Sequence, residues 1–388
     1  MQKILYIESA FNSIEGVKHR MDTRTAVIAL NMVPGIGSVK LNRLIGRFGE
    51  PENIFQASAA QLAQVEGIGT EIIRYIAYFN DFFSVENEIK QCAEKNIRII
   101  TVFDDDYPKH IRNIFDPPPV LYCAGAYDKW PENSFNIGIV GTRLATEYGE
   151  RALKKILNEM KLTKLTFAVV SGMARGIDTI AHLEAVKENI YTAAVLGFGL
   201  NFIWPFEKHY VAQHIIKNGV LISEFPLDMM PLKQNFPRRN RVISGLSDGI
   251  LVVEAGERSG ALITSNYALE QGRDVFAVPG SIFSDKSMGP NNLIKQGAKS
   301  VTSIYDITEE YQLLAKPRSR SMQQEMTLLN LDINEQKVFD SLNFEKKHID
   351  NIAIESNMEI IQLSPLLTIM EMKGVVKQLS GKNFVRAL

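Results

Sequence analysis

At 388 residues the chain has room for two or three domains of ordinary size. Its 43 basic and 44 acidic residues leave a net charge of -1, which excludes a general polycation and confines any nucleic-acid site to a local patch. A hydrophobic content of 45% excludes wholesale disorder. Two cysteines, Cys92 and Cys123, supply neither a disulfide framework nor a zinc-ligand spacing. No apolar run reaches the roughly 18–20 residues of a membrane span, so a cytoplasmic protein without membrane contact, metal or cofactor is expected.

Residues 1–20 lack a signal-peptide pattern and read as a short extension. From Asp22 to about residue 85 the pattern is helical and is broken by two similar turns, Val33-Pro34-Gly35-Ile36-Gly37 and Val65-Glu66-Gly67-Ile68-Gly69. Glycine allows the tight turn and lets a phosphate approach the backbone N–H groups of the following helix. The pair resembles the helix-hairpin-helix motif of DNA-binding proteins, a SAM-like module expected over 22–85. Lys40, Arg43 and Arg47 follow the first turn and suit phosphates, whereas Glu66 and Glu71 make the second less basic.

Residues 90–308 alternate short β-rich runs with helical segments. Strands are predicted at Ile97–Phe103, Asn136–Val140, Phe167–Ser171, Thr192–Leu196, Val220–Ser223, Ile250–Val253 and Val275–Val278. Helices are predicted between them, including Glu147–Met160 and Asp178–Glu188. This pattern calls for an α/β fold, a doubly wound, mostly parallel, extended Rossmann-like sheet, in which ligands gather beyond the carboxyl ends of the strands. The strand ends carry Gly141-Thr142-Arg143, Ser171-Gly172-Met-Ala-Arg175-Gly-Ile-Asp178, Gly197-Phe-Gly199, Ser223-Glu-Phe-Pro226, Glu254-Ala-Gly-Glu-Arg-Ser259 and Val278-Pro-Gly-Ser281. Gly-Thr-Arg ahead of a helix offers backbone N–H groups, a helix dipole and a guanidinium, a combination suited to phosphate.

The segment Lys233-Gln-Asn-Phe236-Pro-Arg238-Arg239-Asn240-Arg241 places four cations and one ring within nine residues. Cations neutralise phosphates and a ring stacks on a base, the equipment of a single-strand-binding surface. Rival chemistries have weaker marks. The turn after the second predicted strand holds an arginine where a dinucleotide fingerprint needs glycine, and neither a P-loop nor a G-x-S-x-G elbow occurs. A nucleotide-processing enzyme of the lysine-decarboxylase-like Rossmann group would have Asp178 or Glu254 to work with, but no histidine lies in these loops as a base and His182 reads as a helix-face residue. A protein-interaction scaffold with secondary DNA binding is the third reading.

Residues 309–330 read as a polar linker, and 331–388 as three helices followed by a hairpin turning at Ser380-Gly381-Lys382, a winged helix. Its third helix carries Glu359, Pro365 and Glu371 with Lys373 as its cation, a poor set for reading duplex DNA.

Taken in order, Gly141-Thr-Arg143, Ser171 to Asp178, Ser223-Glu-Phe-Pro226, Phe236 to Ser244, Ser259-Gly-Ala-Leu, Gly272 to Gly280 and Gly289 to Ala298 resemble the DprA/Smf family of DNA-processing proteins. That resemblance implies a non-enzymatic protein that binds and protects single-stranded DNA and loads the RecA recombinase in natural transformation and homologous recombination, working as a homodimer. It implies a pocket built on Arg143, Lys233 and Phe236. Arg175, Arg238, Arg239 and Arg241, together with Gly141, Thr142, Ser171 and Gly172, are the further candidate contacts. Asp178, Asn240 and Glu254 are expected to fix the loops.

Overall fold

Asp22 begins the first helix by accepting from the backbone N–H of Thr25 at 2.7 Å, a side-chain cap where sequence alone places the start. The computed structural model describes residues 21–79, 81–131, 133–163, 165–203, 208–311, 331–342, 347–373, 375–379 and 381–386. The expected extension 1–20, the linker beyond 311 and Ser380 of the hairpin turn lie outside the described residues.

Six helices come first: α1 (Thr23–Met32), α2 (Ser38–Phe48), α3 (Pro51–Gln56), α4 (Ala59–Leu62), α5 (Thr70–Ala77) and α6 (Phe82–Glu94). The two glycine turns join α1 to α2 and α4 to α5 in the same way. Gly35 and Gly67 take φ of 80° and 82°, a region that disfavours side chains, and Ile36 and Ile68 are buried beneath them. The cations of α2 fold back onto these turns. Lys40 Nζ donates to Gly35 O at 2.9 Å, Arg43 Nη1 to Glu66 O at 3.1 Å, and Arg47 Nη2 to Gln64 Oε1 at 3.1 Å.

Only Lys95 and Asn96 separate α6 from the first strand, so the interval between the first two expected domains falls at a helix. The helices share one core with the sheet. Ala26–Leu30 of α1 pack with Ile97, Ile99, Val120, Tyr122 and Leu227, and Glu88 of α6 reaches across to accept from Leu227 N at 2.7 Å. The described residues up to 311 accordingly make one compact unit, and those from 331 on a second.

The sheet has nine strands: β1 (Ile97–Thr101), β2 (Val120–Gly125), β3 (Phe135–Val140), β4 (Phe167–Ser171), β5 (Tyr191–Leu196), β6 (Val220–Ser223), β7 (Gly249–Val252), β8 (Asp274–Ala277) and β9 (Lys299–Ser300). Their order is β1-β2-β6-β5-β4-β3-β7-β8-β9. Every pairing among β3–β9 is parallel, and β2 is antiparallel to both neighbours, β1 and β6. Sequence reading missed β2 and β9. Val-Leu-Tyr-Cys-Ala-Gly follows three prolines without a helical partner, so it does not register as a βαβ strand, and β9 has two residues.

Gly138 pairs with Val170 on one side and Ile250 on the other, which makes the β3/β7 border the point where strand order reverses. A crevice opens at the carboxyl ends of two such strands because their following helices leave on opposite faces. Those helices are α8 (Glu147–Leu162) after β3 and α12 (Gly260–Glu270) after β7, with α7 (Lys109–Arg112) between β1 and β2. Side chains alternate across the sheet with period two. Val140, Val170, Val195 and Val252 face α11 (Asn235–Gly245) and α12, whereas Ile139, Val169 and Leu251 face α8 and α9 (Ile177–Lys187). Helices α10 (His209–Asn218), α13 (Met288–Lys295) and α14 (Ile304–Glu310) complete the layers.

The second unit has α15 (Ile333–Ser341), β10 (Lys347–His348), α16 (Ile349–Ser356), α17 (Ile360–Met372), β11 (Val376–Leu379) and β12 (Asn383–Arg386), its sheet ordered β10-β12-β11. This is the winged-helix arrangement, with a short β10 that sequence reading did not include. Lys373, at the end of α17, is held by the buried carboxylate of Glu335 at 2.7 Å. No helix among the described residues is long and apolar enough to cross a membrane.

His182 of α9 is fully buried under β5. Thr192 Oγ1 donates to Val169 O, so it must accept from the Nδ1–H of His182 at 2.7 Å, leaving Nε2 as an unprotonated and unpartnered atom. Burial, with Arg239 and Lys208 nearby, pulls the imidazole down to about 3. Unfolded, the same ring titrates near 6.5. Between those values the unfolded chain binds a proton that the folded chain refuses, so this residue's contribution to stability falls as pH falls through that window. Removing it with His182→Asn is expected to flatten the stability–pH curve between pH 6 and 4 by about 1.4 kcal/mol per pH unit, read from urea midpoints.

Candidate nucleic-acid interface

The carboxyl ends of β3, β4, β5 and β7 and the start of α11 enclose a cavity of about 1190 Å3. The basic segment is not a turn. Lys233 and Gln234 precede α11, and Phe236 to Arg241 lie on it, with Pro237 in the first turn, where its missing N–H costs nothing. Helical geometry therefore divides the cations among different faces, and they end in different surroundings.

Arg143, Arg175, Lys233 and Phe236 all line the cavity. The three cations are exposed, and neither Arg143 nor Lys233 has a hydrogen-bond or ion-pair partner among the described residues. Phe236 is half-buried. Its ring meets Phe198 edge-on, with centroids 6.3 Å apart and planes at 69°, and another part of the ring borders the cavity. Arg258, in the loop after β7, is a further exposed cation on the rim. Sequence reading passed over it, although it stands in the strand-end loop that the β3/β7 reversal makes the natural site.

Arg239 is the cavity's buried floor. Its Nη1 donates to Gly172 O at 2.7 Å and to Val195 O, and its Nε to Asn240 Oδ1 at 3.2 Å. The guanidinium occupies the space of an absent side chain, since a Cβ on Gly172 would stand 2.5 Å from it. Asp178 lies beside it and accepts from Gly172 N at 3.2 Å and Ala174 N at 3.4 Å. Burial pushes the Asp178 carboxyl up and the Arg239 guanidinium down to about 10, and each opposes the other's shift. An arginine with that value keeps its charge at neutral pH.

Arg241, Arg238 and Ser171 are not in the cavity lining. Arg241 is 2% exposed and its Nη2 is 2.5 Å from the buried Glu224 Oε2. Arg238 also pairs with Glu224, at 2.8 Å, and lies over the Phe225 ring. Ser171 Oγ donates to Ile139 O at 2.6 Å inside the sheet. Gly141, Thr142 and Gly172 do line the cavity, yet Thr142 N donates to Glu254 O at 2.6 Å and Gly172 N to Asp178, so these two N–H groups are already engaged.

Asn240 ties α11 to α12 by donating to Gly260 O at 3.3 Å. Glu254 is buried and accepts from Thr146 N at 2.9 Å and from the Thr146 hydroxyl, fixing the start of α8. Loop-fixing was the expectation for Asp178, Asn240 and Glu254, and each is engaged in such bonds.

Comparison with known proteins agrees with this architecture. Residues 98–312 match the family model for DNA recombination-mediator protein A, and residues 322–382 the DprA winged helix domain. Protein Smf of Synechocystis is 40% identical over 74% of this chain and 71% of its own. The DNA processing protein DprA of Bacillus subtilis is 43% identical over 56% of this chain and 72% of its own. Among solved structures, DprA of Streptococcus pneumoniae superposes with a TM-score of 0.65 at 30% identity, covering 75% of this chain and 98% of the other. DNA processing protein A of Helicobacter pylori, whose single-stranded DNA binding mode has been described, gives 0.50 at 29% identity over 56% and 98%. The chain therefore belongs to the DprA/Smf family of DNA recombination mediators.

Proposed function

We propose that this recombination mediator grips single-stranded DNA in the cavity at the carboxyl edge of its sheet, without reading sequence and without catalysis. The convergence of Arg143, Arg175, Lys233 and Arg258 around the Phe236 ring carries the reading. Separated cations neutralise successive phosphates, and the ring offers a face to any base. Binding of single strands by the H. pylori relative supports the same ligand here. No strand contact is assigned to Ser171, Arg239 or Arg241, whose polar groups are engaged within the fold.

The enzymatic alternative draws no support from the carboxylates. Glu254 lies outside the cavity lining, Asp178 faces Arg239 and two backbone N–H groups, and His182 is buried beneath the sheet. Handing the strand to the RecA recombinase, acting as a cytoplasmic homodimer and serving natural transformation are what family membership adds to the reading. The winged helix is assigned to protein contact, because α17's Lys373 is paired with Glu335 and its exposed surface carries Ile361, Ile369 and Met372.

Arg143→Ala, Lys233→Ala and Phe236→Ala are each expected to weaken binding of oligo-dT, Phe236→Ala by roughly 5–100-fold from lost stacking. Each cation removed should also lower the slope of log affinity against log salt by about 0.7. Fluorescence anisotropy across a salt series reads both, and unchanged affinity in all three variants overturns the site. Arg239→Ala and Arg241→Ala separate structure from contact. Arg239→Ala leaves the buried Asp178 without its nearby cation and should cost about 3–5 kcal/mol of stability in urea unfolding; Arg241→Ala, which leaves Glu224 paired with Arg238, should cost less, and Arg143→Ala almost none. Deleting residues 320–388 should leave most single-strand affinity in place, and a collapse of binding would assign the winged helix to the DNA.

A further inference from the structure

We propose that the tip of the loop between β8 and α13, Ile282-Phe283, is a second base-stacking position that receives a single strand as it leaves the cavity past Arg143; the proposal rests on the cavity being a single-strand site. Phe283 is 92% exposed and Ile282 83%, two adjacent apolar side chains that nothing among the described residues covers. The foot of this loop is fixed. The Asn291 side chain brackets Gly280, accepting from its N–H at 3.2 Å and donating to its carbonyl at 3.0 Å. Ser281 Oγ accepts from Phe283 N at 3.2 Å, and Ser281 O from Ser284 N at 3.1 Å. With the backbone of the loop pinned, binding through the ring has to fix only its side-chain rotamer.

The loop is tied at both ends to the segments that follow β3 and β7. Lys286 Nζ donates to Leu144 O and Lys286 O accepts from Ala255 N at 2.7 Å, while Tyr148 OH donates to Pro279 O. Leu144 is itself an exposed member of the cavity lining, next to Arg143. Leu144 on the cavity lining is thus bonded to Lys286, three residues from the Phe283 ring, so the loop that carries the ring is anchored beside the unpartnered Arg143. That anchoring and the positive charge of Arg143 fit a polyanion with unstacked bases. Two tip side chains offer far less apolar area than the roughly 1,000 Å2 that a specific protein interface buries.

Oligonucleotide length separates the two positions. In the full chain, Phe283→Ala is expected to weaken dT20 binding by about 5-fold or more while leaving dT6, which the cavity alone accommodates, unchanged. Phe283→Trp should bind dT20 as the unaltered protein does, with fluorescence quenched by dT20 beyond the quenching of the native tryptophans and not by dT6. Unchanged dT20 affinity in Phe283→Ala overturns the proposal, as does an equal loss for both lengths. So does unchanged dT20 binding accompanied by weaker self-association in sedimentation velocity, which would assign the tip to a second copy of the chain. Arg143→Ala is the control for the underlying site. If it weakens both lengths while Phe283→Ala weakens neither, the cavity stands and the tip falls; if neither variant alters binding, both fall.

Discussion

The Arg239 guanidinium pins α11 to the ends of two neighbouring strands, β4 through Gly172 O and β5 through Val195 O, with Asn240 of its own helix as a third acceptor. Taking that charge out of water carries a large desolvation cost, offset here by backbone carbonyls and by Asp178, which in turn holds the Gly172 and Ala174 N–H groups. The result is a cavity floor that cannot shift piecemeal. Phe236 sits three residues before Arg239, about one helical turn away, so fixing one fixes the other. Arg175 extends from the same β4–α9 loop that Asp178 closes.

Glu224 plays the complementary part at the outer side of α11. It gathers Arg238 and Arg241, and its carbonyl accepts from Asn31 of α1 at 3.3 Å. One short basic run thus supplies both groups left exposed on the cavity and groups that hold the cavity in place. Charge density in a sequence does not distinguish the two. The face of the helix on which each cation emerges does.

Much of the fold could be read in advance, because glycine turns and two-residue periodicity are local signals. β3 to β8 fall within a residue of their expected bounds, and the paired turns at Gly35 and Gly67 are as alike in backbone as in sequence. β2 escaped because nothing local marks an antiparallel insertion between two strands of a parallel sheet; its place is set by partners about a hundred residues away at Val220–Ser223. Arg143, Lys233 and Phe236, the residues that the family resemblance singled out, all line the cavity. The destinations of Arg239 and Arg241 were not legible, since α11 does not register as a helix in a run beginning Asn-Phe-Pro-Arg-Arg-Asn. Arg258 illustrates the converse. It sits in a loop that seemed to matter for Glu254, and the side chain that turns to the cavity is its neighbour four residues on.

The shared core beneath α1 bears on how such a protein can be rearranged over evolution. A module joined only by a tether can be exchanged whole, because its stability is its own. The N-terminal helices do not have that freedom: Ile97, Ile99, Val120, Tyr122 and Leu227 complete their interior, and Glu88 caps a loop of the other layer. A replacement would have to match five foreign side chains and one buried carboxylate at once. A change in this shared interior is therefore felt on both sides at once, by the helices and by β1, β2 and the loop after β6, whatever the helical surface comes to bind.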